Sequence, residues 1–149
     1  MRIVEHDVHI PAPPDTVWQV LAETDRYDEW NPFMTQLSGR LAVGEQLTVT
    51  IRPGGRSLTF RPTVLAIEEG TFVRWRGRLG VPGIFDGDHE LRLVSPPEGG
   101  TRFVQREVFS GLLVPVMGRV LDDTEPGFAA MNAALRDRAV ARADGAVQP

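Results

Sequence analysis

The stretch Ile10-Pro-Ala-Pro-Pro-Asp-Thr-Val-Trp-Gln-Val-Leu-Ala-Glu-Thr-Asp-Arg-Tyr-Asp-Glu-Trp-Asn-Pro-Phe33 reads as the end of one strand, two abutting short helices and the start of the next strand. Pro13 and Pro14 open a helix without losing a needed donor, and Asp15 lies where the positive end of the helix favours a carboxylate. Val17, Trp18 and Leu21 then share one apolar face. Thr24 and Asp25 are expected to cap a second helix, in which Tyr27 and Trp30 keep the helical spacing, and Pro32 drives Asn31 out of the α region. The stretch holds no acid, base and nucleophile set, so it speaks of architecture and leaves chemistry to the rest of the chain.

Working outward, residues 2 to 10 alternate Val4, His6, Val8 and Ile10 on one face with Ile3, Glu5, Asp7 and His9 on the other, which predicts a first strand. Further strands are expected at about 33–41, 45–52, 57–68, 71–80, 85–95 and 101–110. Gly and Pro turns punctuate them at 43–44, 53–55, 69–70, 81–83 and 96–100. Connections this short imply antiparallel neighbours. Beyond residue 114, Met117, Leu121, Thr124, Phe128, Met131 and Leu135 follow steps of three and four, the stripe of one long C-terminal helix. Pro126, with Gly118 and Gly127, predicts a kink or break near 123–127, and residues 145–149 are expected to form a frayed tail.

The chain of 149 residues suits a single domain with a sizeable core. Sixteen basic against twenty acidic residues give no net positive field, which argues against general nucleic-acid binding. There is no cysteine, hence no disulfide, thiolate nucleophile or cysteine metal site. The N-terminus is too charged for a signal peptide, and the apolar run at 111–117 is far short of a membrane span. A cytoplasmic protein is expected.

The order strand, two short helices, six strands, long helix resembles the START-like (SRPBCC) superfamily, in particular its polyketide cyclase/dehydrase branch. The segments that carry the resemblance are 12–18, 27–33, Trp75-Arg-Gly77, 109–111 and 128–132. It implies an α+β helix-grip fold over residues 1–144: a curved seven-stranded antiparallel sheet, two short helices after the first strand, and a long C-terminal helix packed across the sheet. It also implies a cavity between sheet and helix for an apolar or aromatic small molecule, polyketide- or lipid-like. No cofactor is implied, and a homodimer is left open.

Charges set a register without reference to any family. If paired residues around the turn at 81–83 sum to 164, Arg74 faces Glu90, Arg76 faces Asp88 and Arg78 faces Asp86. A sum of 196 across the next hairpin puts Glu90 opposite Arg106 and keeps Arg92 away from other arginines. With this charged face outward as a solvated surface, the inner face carries Trp75, Phe85, His89, Gln105, Glu107 and Phe109, and Trp75, His89 and Glu107 fall in one row. A histidine beside a carboxylate among aromatics suits proton transfer next to a carbonyl, in a cyclase, aromatase or dehydratase. The same pair could instead satisfy its own hydrogen bonds or anchor an unreacted ligand.

Further candidate ligand contacts are Phe128, Met131 and Asn132 on the helix, with Trp30, Asn31, Phe33 and Met34 at the pocket mouth. Asp86, Asp88 and His89 invite a metal reading, but strand parity points the two aspartates away from the histidine. His6 is expected as a satisfied core histidine and His9 as exposed. Two rivals to the enzyme stay open. One is a non-catalytic carrier or sensor. The other is a protein-interaction module with a residual cavity, which predicts no pocket reaching roughly 300 Å³.

Overall fold

Proline 62 decides how the strands divide. The segment 57–68, expected as one strand, is two, because Pro62 has no N–H to give to a ladder and its carbonyl turns aside to accept from the Leu47 N–H (2.8 Å). In the computed structural model, which describes residues 1–147, the strands are β1 (Arg2–Ile10), β2 (Met34–Ser38), β3 (Thr48–Ile51), β4 (Leu58–Phe60), β5 (Thr63–Glu68), β6 (Phe72–Arg78), β7 (Asp86–Val94) and β8 (Thr101–Ser110). They form a five-stranded antiparallel sheet in the order β1-β8-β7-β6-β5 and a three-stranded sheet β2-β3-β4. This corrects the single seven-stranded sheet. The two sheets meet along residues 44–47, where Gln46 bridges Thr63 and the Val64 N–H donates to the Glu45 carbonyl (2.9 Å).

The opening stretch folds as α1 (Pro14–Ala22) followed by a 3₁₀ turn, Thr24–Glu29. Glu23 holds the cap position expected for Thr24 and Asp25 but makes no side-chain bond to the turn's backbone; its carboxylate accepts from Arg142 instead. Packing carries the turn instead: the buried Tyr27 donates its hydroxyl to the Leu21 carbonyl (2.6 Å), and burial pushes its phenol well above the ordinary range. Asn31 then accepts the N–H groups of Phe33 (3.0 Å) and Met34 (2.8 Å) on one side-chain oxygen, fixing the turn into β2.

The C-terminal helix α2 (Gly118–Val147) is continuous, and the break expected near 123–127 is absent. Pro126 costs the helix about 3 kcal/mol. Leu121, Phe128, Met131 and Leu135 are all essentially fully buried, and each such burial returns about 1.5–3 kcal/mol, so the stripe wins. Gly127 has a packing role of its own: the ring of Phe33 occupies the space a Cβ would need there, and Phe33 meets Phe128 edge to face at 5.6 Å. The helix includes 145–147 of the segment expected to fray; residues 148 and 149 lie outside the described residues. Among the described residues no helix is long and apolar enough to cross a membrane.

Candidate functional site

Strands β6, β7 and β8 pair in the register that the charges imply: Trp75 faces His89, and His89 faces Glu107. Alternation then sends Asp86 and Asp88 outward and His89 inward. Asp88 forms a two-point pair with Arg76 (2.6 and 2.8 Å), and Asp86 lies 3.5 Å from Arg78. Two outer partners differ from expectation. Glu90, although opposite both Arg74 and Arg106, is engaged by Arg92 of its own strand (3.0 Å), while Arg106 turns to Glu5 (3.5 Å). Arg92 also sits over the Phe72 ring at 4.4 Å.

On the inner face His89 is 4% exposed, and each of its ring nitrogens has a partner. Nδ1 lies 3.3 Å from Glu107 Oε1, and Nε2 lies 2.9 Å from Gln105 Oε1. The ring is held between Trp75 (centroids 5.4 Å apart) and Phe128 (5.1 Å). Gln105 donates through Nε2 to Asn132 Oδ1 (2.9 Å), and Asn132 donates through Nδ2 to the His6 carbonyl (3.0 Å). Three elements thus hold one imidazole. Gly87 gives Glu107 its place, because a Cβ at position 87 would collide with Glu107 Oε2.

His89 and Glu107 open onto a cleft of about 60 Å³ between the two sheets and the start of α2. Apart from Arg78 and Thr124 its remaining wall is apolar: Phe33, Trp75, Phe85 and Phe109 from one side, faced by Met34, Val49, Ile51 and Phe60 from β2–β4. Phe85 and Phe109 stack with centroids 5.6 Å apart. Of the expected residues, seven therefore share the cleft: Phe33, Met34, Trp75, Phe85, His89, Glu107 and Phe109. Gln105, Phe128, Met131 and Asn132 are fully buried behind it, and Trp30 stands apart against Tyr27 (5.2 Å). Helix α2 reaches the cleft one to two turns earlier than expected, through Val120 and Thr124. His6, expected in the core, is instead half-buried, with Nδ1 3.6 Å from Glu125; His9 is exposed and reaches the Gly99 carbonyl (3.0 Å). Among the described residues, no group of three or more His, Cys, Asp or Glu side chains could hold a metal ion.

The whole of this frame, from the first strand to the last turns of the helix, matches one family, described as polyketide cyclase/dehydrase and lipid transport, over residues 1–144. The chain belongs to that family. Among solved structures it is similar to the Zhui aromatase/cyclase from Streptomyces sp. R1128, with a TM-score of 0.80, 19% identity and 99% of both chains covered. It is also similar to protein MLL2253 from Mesorhizobium loti (TM-score 0.73, 20% identity, 92% of this chain and 96% of that one). A third is TTHA0849 from Thermus thermophilus (TM-score 0.74, 15% identity, 95% and 99%). At these identities the likeness is one of fold. A search of curated protein sequences gives no match.

Proposed function

We propose that this member of the polyketide cyclase/dehydrase and lipid transport family binds an apolar or aromatic, polyketide-like molecule in the cleft. We further propose that it acts there as a cyclase, aromatase or dehydratase. The observation that carries the reading is an imidazole–carboxylate pair, His89 and Glu107, at the wall of a cleft lined mainly by aromatic and aliphatic side chains. The pair removes a proton from a carbon flanked by carbonyls, and the resulting enolate carbon attacks a second carbonyl of the same molecule. One C–H bond breaks, one C–C bond forms, and the proton returns to the new alkoxide oxygen. Dehydration then expels that hydroxyl with one adjacent C–H proton as water. Trp75, Phe85 and Phe109 hold the reacting chain flat.

A second reading has one observation in its favour. The cleft, at about 60 Å³, is below the roughly 300 Å³ of a common small-molecule site, which suits an interaction module with a residual cavity. The cyclase reading requires β2–β4 to move away from the larger sheet, to which residues 44–47 join them. Native mass spectrometry of freshly purified protein, with fluorescence titration of 1-anilinonaphthalene-8-sulfonate, separates the two: a co-purifying molecule or saturable probe binding supports the cleft as a ligand site, and neither supports the module. His89→Gln and Glu107→Gln are then assayed separately with a poly-β-ketone thioester. Ring closure lost with probe binding retained supports catalysis; ring closure unchanged in both variants overturns it.

A further inference from the structure

We propose that Asn132 and Gln105 are positioning residues that assign the protons of His89, leaving Nδ1 as its one proton-exchanging atom. The inference rests on the acid–base reading above for its use, but not for its structural content. A backbone carbonyl can only accept, so the His6 oxygen fixes the amide of Asn132 with Nδ2 toward it, at 3.0 Å, and Oδ1 away. That oxygen in turn can only accept, so Gln105 must present Nε2 to it, at 2.9 Å. Gln105 Oε1 is left facing His89 Nε2 at 2.9 Å, and this contact is a hydrogen bond only if Nε2 carries the proton.

The direction of every bond in the chain is therefore set at its far end, by strand β1. Asn132 and Gln105 are both fully buried, so no competing solvent contact relaxes either amide. His89 keeps its Nε2 proton whether the ring is charged or neutral, and only Nδ1 changes state. Nδ1 faces Glu107 Oε1 at 3.3 Å, at the edge of the cleft. Any proton passed between the two side chains therefore moves between Nδ1 and Oε1. Trp75 and Phe128, packed on the ring, oppose its rotation to exchange the two nitrogens.

The test needs no substrate. The chain has three histidines, so protein labelled with ¹⁵N at histidine gives three ring systems, and His6→Gln and His9→Gln isolate that of His89. Long-range ¹H–¹⁵N correlation spectra are recorded across the pH range in which the protein stays folded. The expected result is a pyrrole-like Nε2 throughout, with any movement confined to Nδ1. A pyridine-like Nε2 at any of these pH values overturns the proposal, and this arm uses wild-type side chains at every position of the chain of bonds. In Gln105→Met and Asn132→Leu the Nε2 resonance is expected to shift out of the pyrrole-like range. An unchanged Nε2 in both folded variants overturns the positioning role. If ring closure proves independent of His89, these spectra still decide the proton assignment by themselves.

Discussion

The two faces of strands β6, β7 and β8 both carry polar groups, yet they behave as opposite kinds of structure. On the outer face most charges have more than one candidate partner. Glu90 stands opposite Arg74 and Arg106 and takes Arg92 instead, and Arg106 takes Glu5, with the backbone register undisturbed. On the inner face each polar atom of the His89–Gln105–Asn132 chain has one partner, reached through one orientation. In water, exposed ion pairs are interchangeable and individually weak, whereas a buried donor or acceptor that loses its partner has nothing to replace it. The outer face therefore selects a register by the sum of many small preferences, and the inner face fixes single atoms.

Substitutions can break this contrast or sharpen it. The largest expected effect is Phe128→Ala, which removes a ring packed on both Phe33 and His89. A loss of about 3–5 kcal/mol in unfolding free energy is expected by denaturant titration. Next comes Gln105→Met, which strands His89 Nε2 and Asn132 Oδ1. Two buried groups left unpartnered at roughly 1–3 kcal/mol each would cost about 2–6, and relief of the burial cost of the Gln105 amide itself brings the expected loss to about 2–4 kcal/mol. Gly87→Ala should cost only about 1 kcal/mol, because the colliding atom is the far end of a flexible side chain. It should nevertheless move the Glu107 carboxylate off His89, seen as a changed Nδ1 resonance with Nε2 unaltered.

The smallest effects belong outside. A double-mutant cycle on Arg76 and Asp88 should give about 0.2–1 kcal/mol, falling with added salt, and Arg74→Ala should stay within about 0.5 kcal/mol of wild type. A coupling between Arg76 and Asp88 larger than the loss in Gln105→Met would erase the distinction between the faces.

Much of this was legible in the sequence because period-2 alternation and opposite charges leave few registers open. Arg76, Asp88, His89 and Glu107 together determine which side chains share a row. The helix stripe was equally plain. What failed was depth and curvature. Phe128, Met131 and Asn132 belong to the inward stripe, but the tilt of α2 across the sheet decides which turn borders the cleft, and Val120 and Thr124 do so. Helical spacing carries no record of that angle. Pro62 is a signal in the sequence for dividing the strand at 57–68, since a proline cannot donate to a ladder on either side. Gly87 was visible too: a glycine at an inward strand position marks a close approach, here that of Glu107.

The division at Pro62 has a consequence for how this cleft can be altered. Its shape on one side belongs to Met34, Val49, Ile51 and Phe60 on the small sheet, while the His89–Glu107 pair belongs to β7 and β8 on the large one. The width of the cleft and its one imidazole–carboxylate pair are thus written on separate pieces of backbone. A library randomised at those four small-sheet positions would vary the dimensions of the cleft without altering His89, Glu107, Gln105 or Asn132.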